Sequence, residues 1–138
     1  SGLDKQALID PVSLNEARIA VVSESMTALT LIKRAVASYL DSGNDKLHVR
    51  NVSKSLIDVA GAMMFLENES VYKMLLTLEQ FIRKEVVDAN TVPAAGRIEA
   101  FADAISAIEY YLDSMGGKTT GAVEAINLAS ESIKLLRS

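Results

Sequence analysis

Val52, Leu56, Val59, Met63 and Leu66 recur at intervals of four, three, four and three residues. That spacing keeps returning a side chain to one face of an α-helix, whereas a strand would scatter the same residues over both its faces. Ile98, Phe101, Ile105, Ile108, Leu112 and Met115 repeat the pattern without a miss. Three further stripes do the same: Val22, Leu29, Ile32, Val36 and Leu40; Val71, Leu75, Leu78 and Ile82; and Val123, Ile126, Ala129, Ile133 and Leu136. A chain built this way has five apolar helix faces to bury, and they bury best against one another.

The punctuation between stripes sets the boundaries. Ser13-Leu-Asn-Glu16 reads as a capping box that starts the first helix, and Ser42–Gly43 ends it. The second helix is predicted from about Asp45 to Leu66, followed by a polar turn over Glu67–Ser70. The third runs over Val71–Val87 and breaks at Asp88–Pro93. The fourth spans Ala94–Met115 and ends at Gly116–Gly117. Thr119–Thr120 can cap the fifth. Loops this short favour antiparallel neighbours. The expected fold is therefore all-α, an antiparallel up-down helical bundle of four long helices with a fifth packed alongside. Broken phase and frequent loops favour a compact bundle over coiled-coil seams. Residues 1–12 are expected to be a cloning remnant (Ser1–Gly2) and a partly ordered lead-in, and residues 13–138 one domain. Aromatics are only 5% and there is no Trp, so aliphatic side chains must fill the core.

Composition narrows function by exclusion. A net charge of −4 without clustered Lys and Arg does not suit a nucleic-acid partner. No cysteine is present, which removes thiol catalysis and Cys-based zinc sites and fits a reducing cytoplasm. No apolar run approaches the roughly 20 residues of a membrane span. His48, the single histidine, has no companion ligands and reads as a solvent-facing residue. Glu16, Glu24, Glu79, Glu99, Glu124 and Glu131 read as a solvated exterior and not as a converging acid–base pair. Ser53, Ser55 and Thr119–Thr120 have no base nearby in sequence. Gly116–Gly117 lacks the flanking strand and Lys of a phosphate loop. No catalytic residue, metal or cofactor is implied.

The stretch Leu56-Ile57-Asp58-Val59-Ala60-Gly61-Ala62-Met63-Met64-Phe65-Leu66 resembles the central motif of histidine-phosphotransfer (Hpt) domains. In those domains the second helix carries His-x-x-Lys-Gly, then small residues, a Leu, a turn and another helix. Gly61 falls on the family's Gly and Leu66 on its Leu. Ile57 stands where the phosphoacceptor His belongs, and Ala60 where the Lys belongs. His48 does not supply a second frame: nine residues upstream of Ile57, it points to the opposite side of a helix, and no Lys-Gly pair follows it. Phe101–Leu112 is similar to a segment of the CheA-like kinases that control type IV pili and twitching motility. A stand-alone pilus regulator with similar modules is the other candidate parent. The resemblance covers about residues 13–137. It competes with a plainer reading in which Ile108 and Leu112 are core positions and Gly61 lets two helices approach closely.

The resemblance implies a non-phosphorylatable Hpt-like module of two-component signalling. Its expected partners are receiver, kinase or pilus-regulatory domains, and its expected location is cytoplasmic. Two other readings remain: active phosphotransfer on an unusual acceptor, and a structural dimerisation bundle. Ile cannot accept a phosphoryl group, which weighs against the first. Ser53, Ile57, Ala60 and Met64 form a stripe beside the core stripe of the second helix. That stripe is either the edge of a broad core face or an exposed apolar patch for a partner.

Overall fold

In a computed structural model describing residues 10–115 and 121–138, the chain forms five α-helices, and no strand occurs among the described residues. They are α1 (Pro11–Asp41), α2 (Val52–Phe65), α3 (Glu69–Phe81), α4 (Ala95–Met115) and α5 (Ala122–Arg137). A 3-10 turn, Lys46–His48, precedes α2, and a π-helical segment, Ile82–Val87, extends α3. Ser1–Gly2 with the rest of the lead-in before Asp10, and the Gly116–Gly117 and Thr119–Thr120 signals, lie outside the described residues.

Helix boundaries follow local chemistry, in places differently from expectation. α1 starts at Pro11 and not at Ser13. Asp10, in extended conformation, accepts from Val12 N at 3.0 Å. Proline then occupies the first turn, where its missing N–H costs nothing. This cap lies upstream of Ser13 and leaves the capping box inside the helix. The second helix is shorter than expected, because Asp45 caps only the 3-10 turn and α2 proper starts at Val52. Asn68 caps α3, accepting from Val71 N at 3.1 Å. At the far end of α3 the ladder widens, and Asp88 N bonds to Arg83 O at 2.9 Å, a five-residue step.

The helices contact in a closed order. α1 packs on α2 and α4, α2 on α3, α3 on α5, and α5 on α4. Leu29, Leu56, Leu75, Leu78, Phe101, Ile105, Ile108 and Leu112 are fully buried at the centre. The Phe81 and Phe101 rings meet between α3 and α4 with centroids 5.7 Å apart. Stripe positions near helix ends depart from the pattern: Leu40, Met115 and Val123 are exposed, and Tyr39 is buried where Leu40 was expected. In α1 the buried positions run through Leu29, Ile32, Val36 and Tyr39, so the core-facing phase ends on Tyr39 and leaves Leu40 outside it.

Candidate partner-contact site

The outward face of α2 comprises Lys54, Ile57, Asp58, Gly61, Met64 and Phe65, all exposed. Three are large apolar side chains: Ile57 is 47% exposed, Met64 57% and Phe65 47%. Ile57 and Met64, seven residues apart, lie about 20° from one another around the helix. Phe65 stands on the other side of Gly61. An alanine-sized Cβ at Gly61 would meet nothing within 4 Å. No helix approaches there, which corrects the close-approach reading of this glycine. The face is thus a shallow apolar surface with a flat centre, edged by one cation and one anion. Phe65 also lines a groove of about 220 Å³ with Val21, Glu24, Ala28, Asp58 and Ala62 of α1 and α2.

The four stripe residues separate. Ile57 and Met64 are at the surface, while Ala60 is 1% exposed and belongs to the core. Ser53 is half-buried, and its Oγ donates to Glu79 Oε1 at 2.7 Å. Glu79 is therefore not part of a solvated exterior. It is 7% exposed and also accepts from Arg83 Nε at 2.7 Å. The Arg83 hydrogen bond, helped by Ser53, holds the Glu79 carboxyl below the usual glutamate range, against the opposing effect of burial. Sequence contained half of this signal: Glu79 sits four residues after the buried Leu75 and four before Arg83. The Ser53 half is a contact between helices that no local spacing encodes. Phe65 was also missed; as the residue after Met64 it lay outside the stripe, although it is four residues from Gly61.

A second polar cluster lies a turn further on, at the π-helical extension of α3. Arg97 makes a fork to Glu85, Nε to Oε1 at 2.9 Å and Nη2 to Oε2 at 2.8 Å. The same guanidinium donates to the carbonyls of Leu135 at 3.1 Å and Leu136 at 2.9 Å, which have no partner within the helix ladder at the end of α5. It also lies 5.7 Å from the Phe81 ring centroid. Lys46 Nζ caps the π-helical end, donating to Val87 O at 3.3 Å and to Ala89 O. On the opposite flank, Lys33 Nζ is 2.7 Å from Glu109 Oε1, and Thr30 Oγ1 donates to Oε2 at 2.9 Å. Each of these groups is held by partners that fix helix positions.

His48 is exposed at the end of its turn, apart from the α2 face. Among the described residues no three His, Asp or Glu side chains gather as metal ligands. No helix of the described residues is long and apolar enough to cross a membrane.

A family model described as the FimL C-terminal domain matches residues 12–133. Scaffold protein FimL of Pseudomonas aeruginosa is 36% identical over 126 residues. The alignment covers 89% of this chain and 22% of that protein, so the chain spans about a fifth of its relative's length. No solved structure matches.

Proposed function

The chain belongs to the FimL C-terminal domain family, and from that premise we propose that it is a non-catalytic docking module within a scaffold of a two-component chemosensory system controlling type IV pili. The relative's designation as a scaffold protein supports a role carried by contacts. The Hpt-like motif supports the signalling context and directs attention to α2. The observation that carries the reading is the exposed Ile57, Met64 and Phe65 on that helix. On the Hpt frame, the surface that would present a phosphoacceptor presents isoleucine instead. The partner is then a receiver, kinase or pilus-regulatory domain with an apolar face of its own. Burying Ile57 at such an interface contributes on the order of 1 kcal/mol, since about half of the side chain starts in water.

Two measurements test this. Incubation with a CheA-type kinase and labelled ATP is expected to leave the chain unlabelled; an acid-labile phosphoryl group on His48 would overturn the frame. Ile57→Asp is expected to weaken capture of the cognate chemosensory receiver or kinase domain at least fivefold while leaving the melting temperature unchanged. Unaltered affinity for Ile57→Asp and Met64→Asp alike would remove α2 as the docking face.

A further inference from the structure

The first ten residues of α1 have no side chain buried among the described residues. Every residue from Pro11 to Ala20 is exposed, Val12, Leu14 and Ile19 included. Three turns of helix without a packed face are marginal in water. Further along, α1 buries one side only, through Leu29, Ile32, Val36 and Tyr39. At about 100° per residue, Val12, Glu16, Ile19, Ser23, Thr27 and Arg34 share a strip facing away from that core. All six are exposed.

The strip has a charge order. Glu16 stands near one end and Arg34, eighteen residues later, at the other, about 27 Å away. Among the described residues neither belongs to an ion pair. Between them lie the small side chains Ser23 and Thr27, with Thr30 half-buried at the strip's edge where it bonds to Glu109. Such a strip is complementary to itself turned end for end. Two α1 helices antiparallel about a twofold axis near residue 25 place Glu16 against Arg34 of the second copy, and the reverse. In the same register Ser23 meets Thr27 of the second copy. A parallel pairing would set Glu16 against Glu16 and Arg34 against Arg34. Beside the strip a groove of about 600 Å³, lined by Ile19, Val22, Met26 and Leu112, offers room for side chains of the opposing helix.

We infer that α1 is a self-association helix, pairing antiparallel with α1 of a second copy through reciprocal Glu16–Arg34 contacts. This goes beyond the α2 docking reading and uses a different helix. Twofold symmetry doubles the effect of any substitution, because each residue occurs twice in the interface. Association is expected to weaken as salt rises, since the pairs are solvent-facing.

Sedimentation equilibrium of the 138-residue chain tests it. The wild type is expected to show a concentration-dependent mass rising from 14.9 kDa toward twice that value. Glu16→Arg and Arg34→Glu are each expected to raise the dimer dissociation constant at least tenfold, with helicity by circular dichroism unchanged. The double variant, with the charges exchanged, is expected to return to within about threefold of wild type. A wild type that stays monomeric at millimolar concentration would overturn the inference. So would a dimer indifferent to both single reversals, or one that the double variant fails to restore.

Discussion

The outward face of α2 and the α3–α4–α5 corner depart from the ordinary distribution of residues in opposite directions. α2 places Ile57, Met64 and Phe65 in water. The corner draws Glu85 and Arg97 against Phe81 and the end of α5, while Glu79 is buried against Ser53 and Arg83. A buried charge and an exposed apolar patch are the two observations that call for an explanation. At the corner the explanation is internal, because every charged group has partners whose removal would strand others. On α2 no other helix of the described residues covers these apolar groups, and the proposed docking role is what would use them. Substitutions should separate the two regions cleanly: the corner governs stability, and α2 governs binding.

The largest expected effect is at Arg97. Arg97→Ala removes the fork to Glu85, the caps on Leu135 and Leu136 and the contact with Phe81 at one stroke. Hydrogen bonds to charged groups contribute roughly 1.5–3 kcal/mol each, with strong overlap within one cluster. We expect a loss of about 2–3 kcal/mol in urea unfolding, with α5 the first helix to lose hydrogen-exchange protection. Lysine should not substitute, since it cannot make the fork. A loss below about 0.5 kcal/mol would break the contrast at its strongest point.

Glu79 comes next, and pH distinguishes its contribution. Its carboxyl is held below the ordinary range, chiefly by Arg83. The folded state therefore binds that proton less readily than the unfolded state does. The stabilisation is complete above the ordinary glutamate value and is lost as pH falls below it, through the folded-state value. Glu79→Gln is expected to cost about 1–2 kcal/mol at neutral pH, and less in acid, where the native carboxylate is itself protonated. Parallel stability–pH curves for wild type and Glu79→Gln would show that the carboxylate charge contributes nothing.

These two regions were unequally legible in the sequence. The stripes of α2, α3 and α4 were readable because a helix buried along most of its length repeats the same geometry at every turn. Leu56, Leu75, Ile105 and Leu112 are at the centre, as their spacing requires. Leu40 misled because Tyr39, one residue earlier, takes the core-facing position, and Met115 and Val123 are exposed although the spacing puts them on the apolar stripe. Ser13 misled because Asp10 and Pro11 start the helix earlier. Ile57 and Met64 could be identified as flanking the core stripe, but whether a helix covered them depended on tertiary packing. Ser53–Glu79 and Arg97–Glu85 join residues 26 and 12 positions apart, and the π-helical step that ends α3 leaves no spacing signature.

The smallest expected effect concerns Gly61, at the centre of the α2 face. Glycine within a helix costs about 0.5–1 kcal/mol relative to alanine, through the backbone entropy lost on folding. An added Cβ there meets nothing within 4 Å, so Gly61→Ala introduces no clash to offset that gain. The variant should melt higher, by roughly 0.5–1 kcal/mol of added stability. The same methyl group stands out from the flat centre between Ile57 and Phe65. If a partner lies directly on this face, the more stable variant should bind it more weakly, by about threefold or more. A Gly61→Ala domain that gains stability and keeps full affinity would place the partner's contact to one side, on Ile57 and Met64 or on the groove beside Phe65. Ile57→Asp and Phe65→Ala, measured against the same partner, would then decide between those two edges.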